Sequence, residues 1–249
     1  MNKPKIAISL DKELLDAVDS KVDGSVIRSR SQAIEFFLRK GLQEQSINTA
    51  VILIKGEQQD VLLKEVDGTA LIKKQIDFFS SYGIKTIYIV TQHSKSMNSL
   101  LAEVEKASIN VEIIEKEAKG NAKALEAMKD KLKDNFIVMS GDTYNDFDLR
   151  KMVKKHLEAG KLGTIGLMSR DKPSDYGNAV LDGDLIVDFQ EKPKKATSNI
   201  VNAGIYIFKK EVFELFDNAS SIERDVLPKL ARIKQLVGYF TMGGYRHFG

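Results

Sequence analysis

Ala50-Val51-Ile52-Leu53-Ile54 is an unbroken apolar run, and it limits the chain to few architectures. A run without alternation suits a strand buried on both faces, which needs a layer above the sheet and another below. Strand-like and helix-like segments then alternate. Leu71 to Tyr82 places Ile72, Ile76 and Phe79 at helical spacing, and Gly83 stops it. Thr86 to Val90 reads as strand, Met97 to Ala107 as helix and Val111 to Ile114 as strand. Asn121 to Leu132 reads as helix, Phe136 to Met139 as strand and Leu149 to Leu157 as helix. This order predicts an α/β fold with a parallel sheet. Later segments are richer in strands: Thr164 to Leu167, Ala179 to Leu181, Leu185 to Phe189 and Ile200 to Phe208. Asp182-Gly183-Asp184 forms a tight turn between two of them. The expected sheet is therefore mixed and mainly parallel.

The first forty-odd residues follow a different pattern. Lys5 to Leu10 alternates, with Ile6, Ile8 and Leu10 on one face and Lys5, Ala7 and Ser9 on the other. Asp11 is placed to cap a helix carrying Leu14, Leu15, Val18 and Val22, which Gly24 breaks. Ser29-Arg30-Ser31-Gln32 suits a capping box before a second helix with Ala33, Ile34, Phe37, Leu38 and Leu42 on one face. One strand and two short helices cannot bury a core, and a lone strand leaves its edge unpaired. The unit is expected to dimerise strand to strand. Gln43 to Ser46 is polar and reads as a linker, giving domains 1–45 and 46–249.

Bulk properties narrow the function class. The chain has 249 residues, 43% of them hydrophobic, enough for one sizeable domain plus a small module. A net charge of +3 is too balanced to indicate nucleic-acid binding by itself. Without cysteine there are no disulfides or thiolate metal sites, and three histidines (His93, His156, His247) make a multi-histidine site an unpromising reading. Apolar runs are too short to span a bilayer, so a cytoplasmic protein with no membrane partner is expected.

The strand–helix–helix order of residues 3 to 43 resembles the ribbon-helix-helix DNA-binding family. The resemblance implies DNA as a partner. Its paired strands lie in the major groove, so Lys5, Ala7 and Ser9 would face base edges and Lys3 the phosphates. The turn residues Arg28, Ser29, Arg30 and Ser31 would present the second helix's N-terminus to a phosphate. Ala7 carries no hydrogen-bonding group, which weakens the reader set. A plain dimerisation module, or an ordinary strand of a larger fold, fits the same pattern.

Seven segments between residues 50 and 249 together resemble the sugar-nucleotidyltransferase family, whose core is Rossmann-like. They are Glu65 to Ile72, Gly120-Asn121-Ala122, Phe136 to Asp142, Tyr176-Gly177, Glu191-Lys192-Pro193, Val201 to Tyr206 and Ser221 to Asp225. The resemblance implies attack of a sugar-1-phosphate on the α-phosphate of an NTP, with release of pyrophosphate. It assigns Asp142 to Mg²⁺ and catalysis, and Lys192 to the sugar phosphate. Glu191 and Asn202 would contact the sugar, and Tyr176, Gly177, Gly120 and Asn121 would line the pocket. Each also has a plainer reading: Gly141-Asp142 as a strand-end turn, Lys192 as a turn lysine, Asn202 to Gly204 as a site of close strand packing.

Two departures stand out. The family's glycine-rich phosphate loop is here Lys55-Gly56-Glu57-Gln58-Gln59-Asp60, with one glycine and no arginine. Glu57 and Asp60 would repel a polyphosphate, and Lys55 or Lys64 would be the available substitutes. In the family's late aromatic-x-Asp-x-Gly element, His247 stands at the position of the Asp. The favoured expectation is a DNA-binding regulator whose large domain is catalytically impaired and senses a nucleotide or sugar nucleotide. The alternative is an active sugar-phosphate nucleotidyltransferase, dependent on Mg²⁺, that the N-terminal module assembles into a homodimer or higher homo-oligomer.

Overall fold

The computed structural model describes residues 7–22, 27–44 and 47–248. The chain divides into two compact units, Met1–Ser46 and Ile47–Gly249. Lys3, Lys5, Ile6 and the expected helix breaker Gly24 lie outside the described residues.

In the first unit, α1 (Lys12–Asp19) starts where Asp11 accepts a hydrogen bond from Leu14 N at 2.8 Å. The second helix, α2 (Arg30–Glu44), starts in a capping box shifted by one residue. Ser29 Oγ accepts from Gln32 N at 3.3 Å, while Gln32 Oε1 accepts from Arg28 N at 2.9 Å, one position before the cap. Ala7 to Leu10 belong to no regular element in the single chain. The expected strand edge has no partner strand among the described residues. Ala33 is the only fully buried side chain among the described residues of this unit, and Ile8, Leu10, Leu14, Phe36, Phe37 and Leu38 are exposed.

The second unit is built on a nine-stranded sheet. Its chain order is β1 (Thr49–Leu53), hairpin β2 (Glu65–Val66) and β3 (Thr69–Ala70), β4 (Thr86–Thr91), β5 (Asn110–Glu115), β6 (Phe136–Ser140), β7 (Thr143–Asn145), β8 (Gly163–Ser169), β9 (Gly177–Asp182), β10 (Leu185–Glu191), β11 (Ile200–Phe208), β12 (Leu236–Phe240) and β13 (Tyr245–His247). The helices between them are α3 (Gln59–Leu63), α4 (Leu71–Ser81), α5 (Met97–Val104), α6 (Asn121–Glu126), α7 (Leu149–Ala159) and α8 (Leu227–Arg232). The spatial order of the large sheet is β5-β4-β1-β6-β11-β8-β12-β10-β9, and β7 pairs with β13 separately.

The expected mixed sheet is present, and its strand directions follow from the pairings. Strands β5, β4, β1 and β6 are parallel, as are β8 and β12. Strand β11 runs antiparallel to both β6 and β8, and β10 antiparallel to β9 and β12. Seven of the nine strands therefore run in one direction, with β10 and β11 reversed among them. The helix expected to reach Leu132 ends at Glu126 and continues as turns.

Both faces are covered, as the apolar run at residue 50 requires. On one face Ala50, Ile52, Ile137, Met139, Ile205 and Ile207 pack with Ile72, Ile76 and Phe79 of α4 and with Leu149 and Met152 of α7. On the other, Val51, Leu53, Phe136, Val138 and Phe208 pack with Leu125 of α6 and Leu227 and Leu230 of α8. The carboxyl ends of parallel strands in such a sheet face a crevice where ligands bind.

Candidate functional site

A cleft of about 650 Å³ opens at the carboxyl ends of β1, β4 and β6. A second hollow of about 340 Å³ adjoins it, and Ser140, Asp142, Glu191, Lys192, Tyr206, Glu223 and His247 line both. The site has two halves with a shared wall.

The segment expected to be a truncated phosphate loop folds as a 3₁₀ turn, Gly56–Gln58, running into α3. Gln59 is fully buried and donates to Thr91 Oγ1 and Gln92 O at 2.8 and 2.6 Å, while Ser94 donates to Gln59 Oε1 at 2.5 Å. Gly56 N donates to Gln92 Oε1 at 2.9 Å, so its amide is not offered to a ligand. The turn sets Lys55 and Gln58 into the cleft wall, but not Gly56. Glu57 and Asp60 are also absent from that wall: Glu57 pairs with Lys55 at 4.0 Å, and Asp60 bonds Ser96. The expected repulsion of a polyphosphate by these two carboxylates is corrected by this placement. Lys64 also lies elsewhere, donating to Phe248 O at 3.3 Å.

Gly120 and Asn121 open α6 on the opposite wall. Gly120 has φ +98, and a Cβ there would stand 2.0 Å from Ser220 O, so no other residue fits. This close approach lets Asn121 bridge to the segment Ser220 to Arg224. Its Oδ1 accepts from Ile222 N at 2.9 Å, and its Nδ2 donates to Glu223 at 2.9 Å. Glu223 also accepts from Tyr206 OH and Ser221 Oγ, each at 2.9 Å. Tyr206 OH in turn accepts from Asn202 Nδ2 at 2.7 Å, and Asn202 Oδ1 accepts from Gly204 N at 2.8 Å. One hydrogen-bond chain therefore links Asn121 in the first half to Asn202 in the second. Lys55, Lys116, Lys192 and Arg224 supply positive charge to the larger cleft.

Asp142 follows β6 and stands where the halves meet. Its backbone is fixed on both sides. Gly141 N donates to Leu53 O at 2.8 Å, Phe248 N to Asp142 O at 2.9 Å, and Thr143 Oγ1 to Ser140 O at 2.9 Å. Gln75 of α4, fully buried, donates to Gly141 O and Thr143 O at 3.1 and 2.7 Å. His247 reaches Asp142 because β13 pairs with β7, setting its Nε2 3.4 Å from Asp142 Oδ2. Burial pushes the Asp142 carboxyl up, but hydrogen bonds from His247 and Ser140 outweigh it and hold it below the ordinary carboxylate range. The same bond raises His247, against burial and the charge of Lys192.

Asp142 Oδ1 is buried and has no hydrogen-bond partner. An ionised carboxylate oxygen left so suits a cation. No group of three or more His, Asp or Glu among the described residues could hold a metal on protein atoms alone. The donor set therefore fits a divalent ion that Asp142 shares with substrate oxygens, the common arrangement for Mg²⁺.

The second half contains Tyr176, Gly177 and Asn202 beside Glu191 and Lys192. Lys192 has φ +46, a left-handed conformation rare for a side-chain-bearing residue, and its N donates to Tyr176 O at 3.1 Å. Burial, and then the charge of Glu223, raises the Glu191 carboxyl. The site residues Lys55, Gly120, Asn121, Asp142, Tyr176, Gly177, Glu191, Lys192 and Asn202 converge on one two-part cleft. Tyr206, Glu223 and Arg224 lie within the sequence motifs with no role assigned to them there, and Gln75 and Lys116 stand outside every motif.

In the first unit, Ala7, Ser9, Ser29 and Ser31 are exposed. Arg30 is turned toward α1, pairing with Asp19 through two bonds of 2.7 and 2.5 Å. Arg28 contributes its N–H to the capping box.

The nucleotidyl transferase family profile matches residues 57–245. A Sulfolobus acidocaldarius protein provisionally named mannose-1-phosphate guanyltransferase is 35% identical over 178 residues, covering 68% of this chain and 47% of its own. The mannose-1-phosphate guanyltransferase of Saccharomyces cerevisiae is 32% identical over 197 residues, covering 75% of this chain and 55% of its own. The chain thus spans about half the length of these relatives. The crystal structure of HddC from Yersinia pseudotuberculosis superposes with a TM-score of 0.67 at 21% identity, over 81% of this chain and 93% of that one, which establishes the α/β fold. No helix among the described residues is long and apolar enough to cross a membrane. Relatives named as guanyltransferases overturn the favoured expectation of a DNA-binding regulator with an impaired large domain. The chain belongs to the nucleotidyl transferase family.

Proposed function

We propose that the large unit is an active sugar-phosphate nucleotidyltransferase. A phosphate oxygen of a sugar-1-phosphate attacks the α-phosphorus of an NTP, the bond to the bridging β-phosphate oxygen breaks, and pyrophosphate leaves. The observation that carries this reading is the position of Asp142 at the junction of two adjoining hollows, one cationic and one lined by sugar-compatible polar groups. Two substrates must meet end to end in such a reaction, and positioning supplies much of the rate.

Gly120, Asn121 and Gln58 form the walls that receive the nucleotide, with Lys55, Lys116 and Arg224 balancing triphosphate charge. Lys192 lines both hollows and is placed to neutralise the phosphate shared between the substrates. Glu191 and Asn202 face the sugar hydroxyls. A Mg²⁺ ion held by Asp142 supplies neutralisation of phosphate charge when bound. The names of the relatives make GTP and mannose-1-phosphate the first pair to try.

The test is pyrophosphate release with each NTP, several sugar-1-phosphates and Mg²⁺. Turnover with at least one pair is expected, with Asp142→Ala lowering it about a hundredfold or more. Folded protein that turns over no pair overturns the reading.

The N-terminal unit is read as the device that joins two copies of the chain. Supporting this, its described residues bury one side chain and leave Ile8, Leu14, Phe36, Phe37 and Leu38 exposed, too little core for a lone unit. Light scattering on the full chain is expected to give a dimer or larger assembly that Leu14→Glu with Phe37→Glu dissociates. A wild-type monomer would sink this reading.

A further inference from the structure

The pairing of β13 with β7 brings an imidazole to the carboxylate that the site offers to a cation. His247 lines both hollows, is about half exposed, and holds Nε2 3.4 Å from Asp142 Oδ2. The other oxygen of Asp142 is buried and unpartnered. Adjacent ligands of a six-coordinate ion with bonds of about 2.1 Å stand about 3 Å apart. The two side chains are therefore separated by nearly the spacing that one ion demands. A bound ion takes the place of the proton that Nε2 donates to Asp142; that proton leaves to solvent, and the neutral imidazole, with its remaining proton on Nδ1, gives the ion its Nε2 lone pair.

Magnesium takes oxygen ligands and holds its water tightly, whereas manganese and cobalt accept imidazole nitrogen readily. Resting on the nucleotidyltransferase reading, we infer that the cation site at Asp142 is a mixed oxygen–nitrogen site, with His247 as its second protein ligand. It prefers Mn²⁺ or Co²⁺ to Mg²⁺. The remaining positions go to substrate phosphate oxygens and water, consistent with the absence of a third acidic or histidine ligand among the described residues.

The test uses the full-length protein with Mn²⁺ alone and with Mn²⁺ plus GTP. Titration followed by the loss of the free Mn²⁺ electron-spin resonance signal gives its Kd, and competition gives that of Mg²⁺. Mn²⁺ is expected to bind about tenfold or more tightly than Mg²⁺. Pulsed spectra of bound Mn²⁺ are expected to show nitrogen modulation that disappears in His247→Asp, with the Mn²⁺ over Mg²⁺ preference falling toward unity. Asp142→Asn should abolish binding, and circular dichroism checks that both variants fold. Bound Mn²⁺ that depends on Asp142 but shows no nitrogen modulation overturns the inference and leaves the enzymatic reading intact. Failure of the wild type to bind Mn²⁺ under either condition also overturns it. The enzymatic reading stands or falls separately, on pyrophosphate release.

Discussion

Gln75 was hidden in the sequence as an ordinary polar residue inside the Ile72, Ile76, Phe79 stripe. Its partners lie 66 and 68 positions further along the chain, beyond any local pattern. In the fold it is a buried clamp on the turn that carries Asp142. Gln75→Leu would leave the Gly141 and Thr143 carbonyls without their donor in a dry setting. Such a loss costs about 1–3 kcal/mol for each buried group. The expected outcome is a stability loss of about 2–3 kcal/mol in urea melts, and, where pyrophosphate release is found, a fall in kcat larger than any rise in the KM for the NTP. An unchanged kcat would show that Asp142 keeps its place without the clamp. Asn121, Glu191, Lys192 and Asn202 could be singled out by contrast, because each sits in a short family motif, and the fold gathers all four at one cleft. Glu57 and Asp60 misled because charge can be read from a sequence while the direction of a side chain cannot. The buried Gln59, three bonds deep in its neighbours, turns that segment into helix and carries both carboxylates off the cleft wall.

Strands buried on two faces announced themselves as apolar runs, and β1, β4, β5 and β6 fall within a residue or so of where periodicity puts them. Their order in the sheet did not. Strand β11 sits between β6 and β8, a placement set by pairings such as Tyr206 with Val138 that span about 70 residues. The three-residue β13 gave no periodic signal at all, yet it delivers His247. The segment Ser220 to Val226 likewise has no strand or α-helix period, since it forms a wide turn of π-helical type. That turn is anchored by Glu223, whose two oxygens accept from Asn121, Tyr206 and Ser221. Glu223→Gln replaces one acceptor by a donor amid three donors. Because the hydrogen-bond chain runs from Asn121 to Asn202, the expected result is a several-fold rise in KM for both the NTP and the sugar phosphate. Steady-state kinetics with each substrate varied in turn would check this, and a change confined to one substrate would show that the two hollows act independently.

The whole molecule carries a pH dependence set well away from the cleft. His156 in α7 is completely buried, with Nδ1 2.9 Å from Thr164 Oγ1 and Nε2 unpartnered. Burial, helped by the charge of Lys209, lowers its pKa from the ordinary 6.5 to about 4. Above pH 6.5 the imidazole is neutral in both the folded and the unfolded chain, and stability is complete. As pH falls below 6.5 only the unfolded chain takes up the proton, so stability drops until the folded form protonates too, near pH 4. The slope is about 1.4 kcal/mol per pH unit, hence a loss of about 2 kcal/mol between pH 7 and pH 5. Urea melts at the two pH values measure it, and His156→Leu is expected to flatten most of the difference. The same molecule-wide view gives the position of β11 a meaning in time. The parallel half of the sheet ends at β6, whose free edge waits for β11. On a ribosome adding about 5–20 residues per second, the roughly 60 residues between these strands take about 3–12 s to emerge. For that interval the nascent chain carries an open hydrophobic edge. The order of synthesis therefore leaves Phe136 to Ser140 without its antiparallel neighbour until Ile200 to Phe208 arrive.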